Sequence, residues 1–144
     1  TSPSAIAATS DLEDLALGAS YNFGSFVLSG GYNSLKWKPV SGATSGKVDG
    51  FYLGATIPVG PGSFRVKYAS AEFSGNATAL TRSGGKTDKY SIGYVYDFSK
   101  RTSVYAGVAR VNNKNGASIG LIGGPAGVAN TGSTGVDIGI SHSF

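Results

Sequence analysis

Cysteine and methionine are both missing from this 144-residue chain. Without cysteine there can be no disulfide and no thiolate metal site. Without methionine the chain is not a complete primary translation product, so something N-terminal is expected to have been removed or to be missing. Charge is scarce as well. Only 14% of residues are Asp, Glu, Lys or Arg, against about 25% in an ordinary soluble domain. No apolar run reaches the length of about 18 residues that a membrane-crossing helix requires. The formal net charge of +4 is spread without a Lys/Arg-rich run, which argues against nucleic acid as a partner. A single histidine and no cysteine leave no donor set for a transition metal.

What is present is glycine, 23 residues of it, and eight tyrosines, spread through segments that alternate between large and small side chains. The clearest is the last twelve residues. Val136, Ile138, Ile140, His142 and Phe144 share one parity; Ser133, Gly135, Asp137, Gly139, Ser141 and Ser143 share the other. A period of two is the signature of a strand with one apolar and one small, polar face. The same pattern recurs six times upstream. Leu15, Leu17, Ala19, Tyr21 and Phe23 alternate with Asp14 to Asn22. Phe26 to Trp37 form a second strand. Phe51, Leu53, Ala55 and Ile57 mark a third, with Pro58 near its end because proline cannot donate to a ladder. Phe64, Val66 and Tyr68 mark a fourth, and Tyr90, Ile92, Tyr94, Tyr96 and Phe98 a fifth. In the sixth, about 102–112, Val104, Ala106 and Val108 compete with Tyr105, Ala109 and Val111, so its facing stays open and Arg110 is unassigned. Residues 1–11 read as a loop.

Three regularities follow. The strands are each about ten residues, enough to cross a bilayer at a tilt. Connections alternate: short at 24–25, 60–63 and 99–101, long at 38–47, 74–87 and 113–132. Membrane barrels show that asymmetry between tight turns on one side and long loops on the other. Finally, Tyr21, Phe23, Phe26, Phe64, Tyr96, Phe98 and Phe144 gather at the short-turn end, where an aromatic girdle would sit. The expected fold class is all-β: an antiparallel transmembrane β-barrel segment, residues 1–144 forming one unit of seven meander strands. Seven is odd, and both edges would be open, which lipid does not tolerate. The chain is therefore expected to be the C-terminal portion of a larger barrel, its C-terminus periplasmic and its long loops extracellular.

Specific runs carry a family likeness. Leu15 to Gly24 (LALGASYNFG), Gly50 to Ala55 (GFYLGA) with Pro58-Val59-Gly60, Tyr90 to Thr102 (YSIGYVYDFSKRT) and the ending Gly135 to Phe144 (GVDIGISHSF) resemble late strands and turns of the Gram-negative general porins. The likeness is greatest to the beta-proteobacterial trimeric porins, which include anion-selective members. The resemblance implies a 16-stranded trimeric barrel of the outer membrane, passing small hydrophilic solutes by passive diffusion and carrying no enzymatic activity or cofactor. It also implies the partners: the lipid bilayer and lipopolysaccharide, the remaining strands of the same barrel, two further copies in a homotrimer, and the outer-membrane assembly machinery. The N-terminal strands and the inward third loop of such porins have no counterpart here, so family constriction residues cannot be transferred.

Parity puts Asp14, Arg65, Lys67, Lys89, Asp97 and Asp137 on the inward side. Arg65, Lys67 and Lys89 would make a basic track that focuses a field favouring anions; alternatively they solvate the wall and pair with Asp or Glu. His142 lacks a nucleophile and an orienting acid on its own face, since Ser141 and Ser143 point away. The loop at 113–132 is glycine-rich but lacks the Lys-Ser/Thr and helix of a phosphate cradle, and reads as a mobile surface loop. Two other readings stay open: a small barrel with a plugged lumen acting as adhesin or anchor, and a soluble β-sandwich binding module. Val136, Ile138, Ile140, His142 and Phe144 resemble the family's assembly signal. Deleting Phe144 is expected to lower the yield of assembled barrel in pulse-chase experiments more than it lowers the melting temperature of barrels already folded.

Overall fold

The computed structural model describes residues 9–39, 45–75, 84–121, 124 and 126–144. The opening eight residues and the loop tips at 40–44 and 76–83 lie outside the described residues. Seven strands follow one another: β1 (Thr9–Asn22), β2 (Val27–Pro39), β3 (Gly46–Val59), β4 (Gly62–Gly75), β5 (Lys86–Ser99), β6 (Thr102–Lys114) and β7 (Gly132–His142). Each pairs antiparallel with its sequence neighbours in one sheet of order β1 to β7. No described strand pairs with the outer edge of β1 or of β7.

The strands run to 11–14 residues, longer than the ten expected from side-chain alternation. The difference lies at the long-loop end. β1 begins at Thr9, inside the stretch expected to be loop, and pairs with β2 from Thr9–Pro39 onward, with a bulge between Thr9 and Asp11. Likewise β3 opens at Gly46, β4 runs on to Gly75 and β5 opens at Lys86, so the connections there are shorter than the sequence suggested. Backbone ladders do not need one face to stay apolar, so they continue past the point where the outward positions turn polar, at Glu13, Lys36 and Lys47, and apolar side chains such as Leu12, Leu35 and Val48 stand on the inward face instead.

Register then carries one face across all seven strands. Tyr21 pairs with Leu28, Leu28 with Ala55, Ala55 with Val66, Val66 with Ile92, Ile92 with Val108 and Val108 with Val136. The parallel row on the other face runs from Thr56 to Arg65, Gly93, Gly107 and Asp137. Because strand periodicity is two, this pairing fixes the facing of every other residue in the sheet. It also settles β6. Val104, Ala106, Val108 and Arg110 join the apolar face, opposite Ile140, Ile138, Val136 and Thr134; Tyr105, Ala109 and Val111 join the polar one.

The sheet is one layer thick. Among the described residues only Val111 and Ala117 are buried hydrophobic side chains, while Val136, Ile138 and Ile140 stand 74%, 73% and 68% exposed. Leu17, Tyr21, Leu53, Ile92 and Phe98 are exposed on the same face. A chain of this length folding in water would hide such residues in a core, and an apolar surface this continuous marks a face made for another apolar phase.

Candidate functional site

The polar face is built from small residues that let large ones lie across them. Tyr105 sits opposite Gly139 and covers it, and Tyr52 sits opposite Gly31 and does the same. An aromatic laid over a cross-strand glycine shields backbone that the glycine leaves bare. Lys67 in turn places its ammonium 4.7 Å from the centre of the Tyr52 ring, a cation–π contact that holds an otherwise flexible side chain against the wall.

Between Arg65 on β4 and Asp137 on β7 stand two glycines, Gly93 and Gly107, paired directly. With no side chain on either, the wall is hollowed there. Arg65, Lys89, Ser91, Ser133 and Asp137 line a recess of about 620 Å³ whose upper edge is Leu121. Lys67 and Lys89 continue from Arg65 towards the long-loop end, Lys67 opposite Gly54 and Lys89 opposite Ala69. Asp14 and Asp97 also lie on this face, opposite Leu35 and Ser103. All six charges expected on one side from parity thus share the face that carries the recess. Arg65, Lys67 and Lys89 make no ion pair with another described residue, whereas Lys36, Lys47 and Lys114, on the opposite face, pair with Glu13, Asp49 and Asp88.

Leu121 belongs to the segment after β6, expected to be a mobile surface loop. Its described residues are instead turned over the polar face and pinned. The Asn113 side-chain nitrogen donates to the Ile119 carbonyl at 2.9 Å, while its oxygen accepts from the Ile119 amide at 3.2 Å and the Thr87 hydroxyl at 2.9 Å. Asn130 accepts from the Gly116 amide at 2.7 Å, and its own amide donates to the Ala117 carbonyl. Ala117 and Val111 are buried as a result. This explains the ambiguity of β6: Val111 is apolar because a loop covers it, and not because it faces the apolar band. Leu121 reaches over Gly135, where a side chain would collide with it. No local motif announced this return; the Asn-rich run Asn112-Asn113 and Asn115 was the available signal.

The expected girdle residues fall at the short-turn end in touching pairs. Tyr21 packs against Phe23 at 4.7 Å between ring centres, Phe23 against Phe26 at 4.7 Å, Phe64 against Tyr94 at 4.6 Å and Tyr96 against Phe98 at 4.8 Å. Val136, Ile138 and Ile140 are on that same face of β7, and His142 continues them, edge-on to Phe144 at 4.9 Å. His142 Nδ1 lies 2.8 Å from the Thr102 hydroxyl across the β6–β7 ladder.

The sequence profile described as Gram-negative porin matches residues 2–116. The chain belongs to the Gram-negative porin family. It is also 38% identical over 138 residues to outer membrane porin protein 32 of Delftia acidovorans, an alignment that covers 93% of this chain and 37% of that protein. This porin chain therefore spans little more than a third of the length of the curated relative it matches. Membership accounts for an all-β meander in which the polar side is the one with the hollow.

Within this porin sheet Asn113 is the residue on which the inward fold of the loop depends. Asn113→Ala removes three hydrogen bonds, each worth about 0.5–1.5 kcal/mol net. Amide exchange at Ile119 is expected to accelerate by one to two orders of magnitude, with the β3–β4 amides unchanged; equal exchange in both proteins would show that the loop is held by something else.

Proposed function

We propose that this chain forms one wall of an outer-membrane porin, a water-filled channel through which small hydrophilic solutes and ions diffuse passively, with anions preferred. The observation that carries the reading is the division of charge between the two faces. Arg65, Lys67 and Lys89 stand on the hollowed face without ionic partners among the described residues, and the opposite face is a continuous apolar band.

The band supports a lipid-facing exterior by its dimensions. On β3 it runs from Phe51 to Val59, which at about 3.3 Å per residue and a tilt near 45° gives roughly 20 Å of height, close to the apolar belt of about 25 Å on known barrels. The open edges of β1 and β7 would leave unpaired amides in lipid, each costing several kcal/mol. Further strands of the same barrel must then close it, in keeping with the fraction of the relative that this chain spans. Assembly into a homotrimer, delivery by the outer-membrane assembly machinery, a periplasmic short-turn end and contact of the long-loop end with lipopolysaccharide complete the reading. The Gly93–Gly107 hollow favours an open lumen over a plugged anchor, since a plug needs bulk on that wall.

A low-dielectric wall strengthens the field of an unpaired cation on a solute passing close by. Arg65→Glu with Lys67→Glu in the full-length trimer is expected to lower the anion-to-cation permeability ratio severalfold, measured by reversal potential across a planar bilayer in a salt gradient. An unchanged ratio would mean that these side chains only solvate the wall.

A further inference from the structure

Two cations and one carboxylate line the recess on the hollowed face: Arg65 on β4, Lys89 on β5 and Asp137 on β7. None of the three forms an ion pair or a side-chain hydrogen bond with another described residue. The register keeps the opposite charges apart. Arg65 pairs with Gly93, Gly93 with Gly107 and Gly107 with Asp137, so Arg65 and Asp137 stand at one height with three strand spacings between them. At about 4.8 Å per spacing their backbones are about 14 Å apart. The glycines between them are not there for backbone freedom, since neither has a positive φ. A Cβ on Gly107 would meet its nearest neighbour at 3.4 Å, an ordinary contact, so what glycine supplies at that position is space. The hollow continues on the short-turn side of the row, where Arg65 and Asp137 also line a second recess of about 380 Å³. A solute moving along the wall from one hollow to the other passes between a guanidinium and a carboxylate.

Unpartnered charges of both signs at one height define the ligand. A simple anion would use Arg65 and Lys89 and leave Asp137 facing a like charge. A simple cation would use Asp137 and face two like charges. A molecule that carries a carboxylate and an ammonium satisfies both sides of the recess at once, through charge-assisted hydrogen bonds. Ser91 and Ser133 add hydroxyls on the same wall, able to donate or accept. Lys67 takes no part: its ammonium lies over the Tyr52 ring on β3, on the side away from the recess. The volume of about 620 Å³ is within the usual range of small-molecule sites.

We propose that this recess binds small zwitterions of the α-amino acid class, with the carboxylate held by Arg65 and Lys89 and the ammonium by Asp137. The proposal rests on the reading above that this face lines a channel. It adds a solute class, and it gives a role to Asp137, which anion passage alone leaves without a use. Exposed ion pairs are each worth little, so binding is weak and exchange is fast, as passive diffusion requires.

The test is a saturation-transfer NMR titration of the full-length porin in detergent micelles with L-alanine, propionate and ethylamine. The last two are alanine without its ammonium and without its carboxylate. The wild type is expected to bind L-alanine about fivefold more tightly than propionate, the worth of one exposed ion pair, and ethylamine more weakly than either. Asp137→Asn is expected to bring L-alanine down to the affinity of propionate and to leave propionate no weaker, while Asp137→Glu restores the difference. Gly107→Val fills the hollow without touching a charge and is expected to weaken L-alanine and propionate alike. The wild-type ranking of the three probes stands as a test even if a variant folds poorly. The idea is overturned if the wild type binds propionate as tightly as L-alanine, if Asp137→Asn or Gly107→Val binds L-alanine like the wild type, or if L-alanine and propionate fall together in Asp137→Asn. Planar-bilayer conductance separates the two readings: normal channels without alanine preference sink the zwitterion site alone, and alanine preference without channels sinks the channel alone.

Discussion

A sheet one layer thick has no interior, so each of its faces must be stable against whatever medium touches it. In this chain that condition decides nearly everything else. Hydrogen bonding is satisfied within the ladder except at the outer edges of β1 and β7, and the side chains are left to divide between two phases. The apolar phase takes branched and aromatic side chains in every outward row, with Leu53, Ile92 and Ile138 at its middle. The polar phase takes glycine, serine and charge. Where the first phase ends, tyrosine hydroxyls and serines meet carboxylates instead of hydrocarbon, as at Tyr68, Ser70 and Asp88.

Charges on the two faces are handled differently, and that difference carries the functional reading. Outward lysines are tied to carboxylates within the sheet, with Lys47 only 2.7 Å from Asp49. Exposed pairs of this kind add little to stability, so their effect is to set which groups meet the surroundings. On the hollowed face Arg65 looks across paired glycines towards Asp137, Lys89 lines the same recess, and the intervening space is left open. An arrangement that keeps cations unneutralised beside a cavity favours transient contact with anions over a fixed structural bond.

Much of this was readable from residue order. Phe51 to Ile57, Tyr90 to Phe98 and Val136 to Ile140 alternate cleanly because each has water on one side and apolar surroundings on the other. The strand count, the antiparallel order and the common side of Arg65, Lys67, Lys89, Asp97 and Asp137 all follow from that alternation. Three features did not. The upper ends of the strands were lost because the alternation changes sense there: Asp11, Glu13 and Lys47 stand on the outward face, and Leu12, Leu35 and Val48 on the inward one. β6 was ambiguous because Val111 is covered by its own following segment, a contact between residues that no local pattern encodes. The hydrogen bonds of Tyr32 to Asp49, and of Tyr68 and Ser70 to Asp88, were not legible because they depend on a register that sets Ser34 against Asp49 and Ser70 against Asp88.

The central claim is that the two faces of this sheet meet two solvents. The chain has no cysteine of its own, so single cysteines introduced along Tyr90 to Asp97 of β5 in the full-length protein, reconstituted in lipid, can each carry a spin label. Collision with oxygen, which partitions into hydrocarbon, and with a water-soluble nickel chelate is then measured at every position. The account predicts strict alternation: oxygen access at 90, 92, 94 and 96, chelate access at 91, 93, 95 and 97. Labels at Ile92 and Tyr94 that are shielded from both reagents, as in a dry closed core, would contradict it.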